Sequence, residues 1–253
     1  MEIKKIESLQ NEYIKKLIKL QKRKHREEMS LFIVEGERSC RDALCSSFEV
    51  ENIVMSESYF ENKKGFECEN AVLVSDKIFA SISDTKTPQG VLAVVKIPRK
   101  KEIKMGRFIF CDGIQDPGNA GTIMRSADAF GFSGVIFRKG SVDVFSPKVI
   151  RSTMGSIFHI DVWQDEEKSI LEDLQKKGFK ISASALSGES VTSKEMKAEK
   201  NHIFVVGNEG AGVSKEILEL ADEIVYIKMQ GKAESLNAGV AASILMYEVS
   251  RDE

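Results

Sequence analysis

The stretch DGIQDPGNAGTIMRSADAFGF, residues 112–132, decides how the C-terminal half of the chain is interpreted. It follows an apolar run, RFIFC, that is typical of a buried strand, and it leads into a helical pattern. A glycine-rich turn between a strand and a helix is the usual phosphate-binding position of dinucleotide-binding proteins. The stretch therefore suggests a nucleotide site. It also contains Asn119 and Arg125, two polar side chains that a phosphate-binding glycine turn does not explain.

The stretch does not match the dinucleotide-binding fingerprint. That fingerprint needs G-x-G-x-x-G and an acidic residue about 20 positions later, which binds the ribose. Here the glycines are Gly113, Gly118 and Gly121, and the next strand pattern ends in Arg138 and Lys139. A nucleotide-dependent oxidoreductase is therefore disfavoured.

Strand and helix patterns alternate along the whole chain. Residues 1–98 predict a small α/β domain whose first long helix covers residues 8–26. The following residues are rich in lysine and lack apolar periodicity, so they predict a linker at 99–105. Repeated β-α units with continuous apolar strands then predict a mostly parallel sheet with helices on both faces, in a domain spanning 106–253.

Composition limits the class of protein. The chain has 253 residues, of which 42% are hydrophobic and 30% charged, as in globular proteins. No apolar run reaches the roughly 18–20 residues that cross a bilayer, and the N-terminus lacks a secretory signal, so we expect a cytoplasmic protein. The four cysteines form no C-x-x-C pair and have no histidine at metal spacing, so we expect no metal.

Positive charge is concentrated at the N-terminus, although the net charge of the chain is only -2. Residues 1–26 contain nine Lys and Arg against three Asp and Glu. This excess is typical of a contact with a polyanion, and it is equally compatible with a solvated helix face.

Glycines and polar side chains gather at three predicted strand ends. The segments are DGIQDPGNAGTIMR, VVGNEGAG and IKMQGKAESLNAG. Ligands of open parallel sheets bind beyond the carboxyl ends of the strands, where glycine lets the backbone approach them closely. One such segment fits an ordinary tight turn, whereas three in one domain indicate a shared site.

The same three segments resemble the motifs of the SpoU (TrmH-like) family of RNA ribose 2′-O-methyltransferases, within the SPOUT superfamily. The matching stretches are NAGTIMRSA, VVGNEGAG, and IKMQG followed by ESLNA. NEYIKKL and LFIVEGER also resemble the small substrate-binding domain that precedes many members, so the likeness covers nearly the whole chain. Lys228 and Ala238 stand where the family often has Pro and Val, and neither difference removes a polar functional group.

The resemblance implies an enzyme that transfers a methyl group from S-adenosylmethionine to a ribose 2′-hydroxyl of RNA. It also implies a C-terminal trefoil knot and a homodimer formed through the C-terminal domain. In the family the cofactor is held largely by backbone groups. By motif position those contacts fall at Gly207, Ile227, Leu236 and, on the loop that reaches Ser187, Ala185.

The catalytic candidates, by the same carry-over, are Asn119, Arg125, Glu209, Ser235 and Asn237. A guanidinium with a pKa above about 12 is a poor base, so Arg125 is expected to bind an RNA phosphate and stabilise the developing alkoxide. Asn119 would orient Arg125 or the ribose, and Glu209 would position the substrate or Arg125. The alternative for Asn119, Ser235 and Asn237 is the capping of helices, and for Glu209 it is an ordinary carboxylate at a helix start.

RNA is the implied partner, with ribosomal RNA favoured over transfer RNA because of the additional N-terminal domain. No aromatic ladder accompanies the N-terminal basic residues, so recognition of RNA shape is expected rather than base stacking. A non-catalytic RNA-binding or ribosome-assembly factor on the same fold stays the alternative. The side chains expected to contact RNA phosphates are Lys15, Lys16, Lys22, Arg23, Lys24 and Arg26.

Overall fold

The computed structural model describes residues 2–63, 68, 70–99, 101–185, 191–192 and 194–251. The contacts between residues divide the chain into two compact units. The first unit is Met1–Arg99 with Asp143–Phe158, and the second is Lys100–Val142 with His159–Glu253. The segment 143–158 therefore belongs to the first unit, although in sequence it interrupts the second.

The elements are numbered in chain order. The N-terminal ones are β1 (Glu2–Ile6), α1 (Glu12–Lys19), α2 (Arg23–Met29), β2 (Leu31–Glu35), α3 (Glu37–Cys45), β3 (Val50–Ser56), α4 (Glu57–Lys63), β4 (Asn70–Val74), α5 (Asp76–Ile82) and β5 (Val91–Lys96). The following ones are β6 (Arg107–Asp112), α6 (Pro117–Ala129), β7 (Gly134–Arg138), α7 (Pro147–Thr153), a 3-10 turn (Ser156–Phe158), β8 (Asp161–Asp165), α8 (Ile170–Lys176), β9 (Lys180–Ser184), β10 (Val191–Thr192), β11 (His202–Gly207), α9 (Lys215–Leu220), β12 (Glu223–Tyr226) and α10 (Ala238–Ser250).

The first unit contains a sheet of order β1-β4-β3-β5-β2. β1, β4 and β3 are parallel, whereas β5 is antiparallel to both of its neighbours. Side chains of the strands and of α1 and α5 form one buried apolar cluster that includes Ile14, Leu17 and Phe79. The predicted small α/β arrangement is confirmed, and β1 is an element that the sequence analysis did not anticipate.

The helix predicted over residues 8–26 is divided into α1 and α2. α1 begins after Asn11, whose side chain accepts a hydrogen bond from Tyr13 N at 2.9 Å. Lys22 then has extended backbone, which turns the chain before α2. The turn lets Arg26 Nη1 donate to Leu20 O at 2.6 Å, so a carbonyl at the end of α1 gains a partner that a continuous helix would not provide.

The segment 143–158 packs within the first unit through aromatic contacts. The ring of Phe145 lies 5.0 Å from that of Phe32, and the ring of Phe158 lies 5.2 Å from that of Phe48. α7 ends at Thr153 because the next residue adopts the left-handed conformation that terminates many helices.

The second unit is built on a sheet of order β10-β12-β9-β11-β6-β7-β8, in which every pair of neighbouring strands is parallel. The predicted parallel sheet of the C-terminal half is confirmed. The chain leaves β6 towards β7 on one side, and it leaves β11 towards β12 on the other. β6 and β11 are neighbours, so the crevice beyond their carboxyl ends is the switch point at which such sheets bind ligands. The trefoil knot stays a prediction.

Residues 101–105, which fall in the predicted linker, are held against the second unit. Trp163 Nε1 donates to Lys101 O at 2.8 Å, and Lys101 Nζ lies 2.6 Å from an oxygen of Asp161. Ile103 packs against the apolar core of the same unit. The domain boundaries at 98 and 106 stay predictions, to be compared with the contact boundary at residues 99 and 100.

Candidate active site

The first motif begins at the carboxyl end of β6 and enters α6. Asp116 caps this helix, since its Oδ1 accepts from Asn119 N at 2.8 Å, and Pro117 occupies the first helical position. Asp followed by Pro is a favoured helix start because the capping oxygen binds a free backbone N–H where proline has none. The cap is therefore Asp116 rather than Asn119, which leaves the Asn119 side chain available for another role.

The Asn119 side chain joins the other two motifs. Its Nδ2 donates to Glu209 Oε1 at 2.8 Å, and its Oδ1 accepts from Asn237 Nδ2 at 2.7 Å. Asn237 Oδ1 in turn accepts from Val240 N at 3.2 Å and caps α10. Asn119 is 5% exposed, so the amide that links three strand-end loops is shielded from water. We call Glu209, Asn119 and Asn237 the amide chain.

Glu209 anchors one end of the amide chain. Besides Asn119, it accepts hydrogen bonds from the backbone of Gln115 at 3.4 Å and of Asp116 at 3.2 Å. Partial burial raises the pKa of Glu209, but the hydrogen bonds from Asn119 and from the backbone outweigh it and leave the pKa below its ordinary value. Glu209 is therefore a carboxylate at neutral pH, and its bonds fix the start of α6.

A cavity of about 500 Å³ lies at the carboxyl edge of the sheet in the second unit. All four residues proposed to bind the cofactor line it, which are Ala185, Gly207, Ile227 and Leu236. Glu209 and Ser235 line it as well, whereas Arg125, Asn119 and Asn237 do not. Leu186 and Ser187, which follow Ala185 on the same predicted loop, lie outside the described residues.

The chemistry of this cavity fits S-adenosylmethionine. Its apolar lining, which includes Val206, Ile227 and Leu236, suits an adenine ring. Glu209 and Glu234 supply carboxylates, and no Lys, Arg or His stands among the described lining residues. A cavity of this charge favours a cationic sulfonium over the phosphates of a dinucleotide. The same charge counts against the oxidoreductase interpretation.

The loop 207–213 forms one wall of the cavity and is folded tightly on itself. Asn208 and Gly212 exchange backbone hydrogen bonds of 3.0 and 2.9 Å, and Asn208 Oδ1 accepts from the backbone of Gly210 and Ala211. A Cβ atom on Gly207 would overlap the backbone of Gly212 and Val213, so only glycine fits there. Gly207 is thus required by the fold of the loop itself.

A family model described as the SpoU rRNA Methylase family matches residues 106–247. This chain belongs to the SpoU family. A second model, described as an MRM3-like substrate binding domain, matches residues 11–93.

Relatives of the SpoU family resemble this chain over its full length. The 23S rRNA (guanosine(2553)-2′-O)-methyltransferase RlmP of Bacillus subtilis is 35% identical over 250 residues, which are 98% of this chain and 99% of the relative. The crystal structure of an AdoMet-bound rRNA methyltransferase from Sinorhizobium meliloti is 29% identical, with a TM-score of 0.85 over 99% of this chain and 98% of that one. An RNA 2′-O ribose methyltransferase structure is 31% identical, with a TM-score of 0.82 over 98% of both chains.

Arg125, the central arginine of the first SpoU motif, stands apart from the amide chain. It is exposed on α6, and no described residue forms a hydrogen bond or ion pair with its side chain. The expectation that Asn119 or Glu209 holds Arg125 is therefore not met. The Asn119 amide binds Glu209 and Asn237, and the Glu209 carboxylate binds Asn119 and the backbone at the start of α6. An exposed guanidinium without an internal partner is available to a phosphate.

The N-terminal basic side chains expected to bind RNA differ in their surroundings. Five of them lie at or near the surface of the first unit, namely Lys15, Lys16, Lys22, Arg23 and Lys24. Several form ion pairs, such as the exposed pair of Lys15 with Glu12 at 2.8 Å, and exposed ion pairs contribute little stability.

Arg26 is the exception. It is 3% exposed, its Nη2 forms an ion pair with Asp143, and its Nη1 binds Leu20 O. The structure therefore assigns Arg26 an internal ion pair in place of the expected phosphate contact.

Two residues of the SpoU site were not singled out from the sequence. Asp116 caps α6, and Asn208 shapes the loop 207–213 and donates to Gly113 O at 2.8 Å. Asp before Pro is a recognised helix-start signal, and Asn before a glycine-containing turn is a recognised turn signal. Both were present in the sequence and could have been used.

The described part of the chain holds no cluster of three or more His, Cys, Asp or Glu side chains able to bind a metal ion. Its helices are also too short or too polar to cross a membrane.

Proposed function

We propose that this protein transfers a methyl group from S-adenosylmethionine to a ribose 2′-hydroxyl of ribosomal RNA. The observation that carries the proposal is the cavity of the second unit, which is lined by Ala185, Gly207, Ile227 and Leu236 in a chain of the SpoU family. The 35% identity to RlmP over nearly both full lengths makes a guanosine of 23S rRNA the first target to test.

The cofactor supplies an electrophilic methyl group on a positively charged sulfonium. Residues of this chain would hold it through backbone groups of the loops at Gly207, Ile227 and Leu236, with Glu209 and Glu234 contributing negative charge to the cavity. Binding by backbone groups fixes the orientation of a ligand without placing further charged side chains beside it.

Arg125 would bind the phosphate next to the target nucleotide and stabilise the negative charge that develops on the ribose oxygen. It is exposed and has no internal partner among the described residues, and a guanidinium forms bidentate hydrogen bonds with phosphate oxygens. Ser235 lies at the cavity and is exposed, so its hydroxyl is available to the ribose. Proton removal is left to the RNA phosphate or to a water molecule, because Arg125 stays protonated.

Asn119, Glu209 and Asn237 would act mainly by positioning. The amide chain connects the start of α6, the loop 207–213 and the start of α10, which are the three motifs of the family. We propose that it keeps these loops in register and that Arg125 and Ser235 contact the RNA.

The first unit would bind RNA through the exposed basic residues of α1 and α2. Its residues 11–93 match a substrate-binding family model, which supports this role for the predicted domain 1–98. Residues 106–253 would form the methyltransferase domain.

We also propose a homodimer formed through the C-terminal domain. Val240 is 45% exposed and Tyr247 is 54% exposed on the same helix, α10. Exposed apolar side chains on a helix are a common feature of subunit interfaces. Sedimentation equilibrium of the purified protein tests this, and a monomer at micromolar concentration contradicts it.

The activity is tested by transfer of labelled methyl from S-adenosylmethionine to unmodified 23S rRNA, 16S rRNA and tRNA, followed by nucleoside analysis. Methyl on a ribose of 23S rRNA is expected. Methyl on a base refutes the ribose assignment, and methyl on tRNA alone refutes the ribosomal target. No transfer by folded protein that binds RNA favours the non-catalytic RNA-binding factor. In the same assay Arg125→Ala is expected to lose the transfer. Lys176→Ala, which removes an exposed cation on α8, is its control and is expected to keep it.

A further inference from the structure

A buried ion pair lies beside the loop 207–213, and its arginine belongs to none of the family motifs described above. Arg138 ends β7, and its Nη1 lies 3.0 Å from Asp112 Oδ1 at the end of β6. The two side chains are 9% and 8% exposed. Burying two charges is costly unless the remaining hydrogen-bonding groups also find partners, so the other contacts of this pair indicate what it holds.

The remaining contacts of the pair lie just after the loop 207–213. Asp112 Oδ2 accepts from Ser214 N at 2.7 Å, Arg138 Nη1 donates to Ser214 Oγ at 3.1 Å, and Arg138 Nη2 forms an ion pair with Glu216. Ser214 precedes α9 without capping it through its side chain. Asp112 and Arg138 therefore hold the exit of the loop through both the backbone and the side chain of one residue.

The entrance of the same loop is tied to the neighbouring residue of β6. Asn208 Nδ2 donates to Gly113 O at 2.8 Å, and Asn208 also closes the loop onto Gly212. Entrance and exit are thus both bound to the two consecutive residues Asp112 and Gly113. The Arg138 guanidinium holds the Asp112 carboxylate in the position from which it accepts the hydrogen bond of Ser214 N.

We propose that Arg138, acting through Asp112, is a positioning residue that sets the shape of the cofactor-binding wall 207–213. The inference rests on the proposed function, because it takes S-adenosylmethionine as the ligand of that cavity. Arg138 does not line the cavity, so its effect on the ligand is transmitted through Ser214 and the loop. A ligand held by backbone N–H and C=O groups depends on the position of the loop that carries them, because hydrogen bonds weaken as distance and angle depart from their optimum.

The test uses the full chain and two measurements. Calorimetry gives the Kd for S-adenosylmethionine, and amide hydrogen exchange without ligand gives the protection of residues 208–213. Arg138→Met is expected to raise the Kd by about tenfold, equivalent to about 1.4 kcal/mol, and to lower protection in that loop, because Asp112 loses the cation that holds it against Ser214 N. Arg138→Met with unchanged Kd and unchanged protection overturns the proposal.

A matched control separates positioning from general destabilisation. Arg26→Met removes the other buried, ion-paired arginine described above, in the first unit. It is expected to lower the stability of the protein and to leave both the Kd and the protection of 208–213 at wild-type values. An equal rise of Kd in Arg26→Met overturns the proposal, because any buried charge would then have the same effect.

Two further results complete the test. If Arg138→Met fails to fold, the double variant Asp112→Asn with Arg138→Met is used, because it removes both charges of the pair. Lost protection of residues 208–213 in this variant supports the proposal. Protection equal to that of wild type overturns it. If the wild-type protein does not bind S-adenosylmethionine, the proposed function fails. The exchange measurement then still decides whether Arg138 fixes the loop.

Discussion

Replacing Asn119 by Asp tests the amide chain with a change of only one atom. In the wild-type protein, Asn119 Nδ2 donates to Glu209 and Asn119 Oδ1 accepts from Asn237. A carboxylate at position 119 can still accept from Asn237, but it has no hydrogen to offer Glu209. Two negatively charged oxygens would then face each other across a distance that is now a 2.8 Å hydrogen bond.

The expected loss is about 2–3 kcal/mol of unfolding free energy at pH 8. The lost hydrogen bond contributes about 1 kcal/mol. Two like charges about 4 Å apart repel by about 4 kcal/mol at an effective dielectric constant of about 20. Glu209 is exposed, so water and salt reduce this repulsion to about 1–2 kcal/mol.

The effect depends on pH in a defined direction. Repulsion raises the folded-state pKa of the introduced carboxyl above its unfolded value of about 4. The destabilisation is therefore full above the raised pKa, and it diminishes as the pH falls towards about 4. Urea unfolding is measured at pH 8 and pH 5 through the fluorescence of Trp163, the single tryptophan of the chain, which lies in the second unit.

The control is the double variant Asn119→Asp with Glu209→Gln. It restores a donor opposite the new carboxylate, so it is expected to be more stable at pH 8 than Asn119→Asp alone. A single variant that is equally stable at pH 5 and pH 8, relative to wild type, refutes the reasoning. A double variant no more stable than the single one refutes it as well.

Arg125→Ala is expected to abolish methyl transfer and to leave the calorimetric Kd for S-adenosylmethionine unchanged, because the side chain does not line the cavity. Lost cofactor binding in folded Arg125→Ala contradicts this division of roles. Replacing Lys22, Arg23 and Lys24 by Gln is expected to weaken RNA binding and to reduce the slope of log affinity against log salt by about 2–3, since each phosphate contact contributes about 0.7–0.9. An unchanged slope in a filter-binding assay assigns the three residues to a solvated helix face. Burial, together with nearby positive charge, lowers the pKa of His202 to about 3. As the pH falls below about 6.5, the unfolded state therefore binds a proton that the folded state does not. The free energy of unfolding then decreases by up to about 1.4 kcal/mol per pH unit. His202→Gln is expected to flatten this loss between pH 6 and pH 4 in urea unfolding, and a slope equal to that of wild type contradicts the assignment.

The meeting of three motifs at one edge could be predicted from the sequence because parallel strands place their carboxyl ends together. More than 100 residues separate Asn119 from Asn237 in the sequence, and hydrogen bonds join both of them and Glu209 in the structure. The sequence could not predict which hydrogen-bond partners the side-chain amides of Asn119 and Asn237 take. Asn119 was expected to cap α6 or to orient Arg125, and the choice depends on atoms that only the folded loops bring near.

Contacts between distant parts of the sequence account for most of the remaining differences. Arg26 belongs to a basic run and was expected to contact RNA phosphates, but it pairs with a carboxylate that lies 117 residues later. β1 pairs with β4, and nothing in its short sequence, EIKKI, specifies that partner. Local patterns describe individual helices and strands, whereas burial of a charge depends on what the rest of the chain brings to it.

The insertion of residues 143–158 into the first unit has a consequence for synthesis on the ribosome. Domains generally fold as units while the N-terminal part emerges first. A nascent chain that has emerged only to residue 142 holds Arg26 without Asp143, and it leaves Phe32 and Phe48 without Phe145 and Phe158. The N-terminal unit therefore completes its core only after α6 and β7 have also been made, so its folding waits on sequence that belongs to the catalytic half.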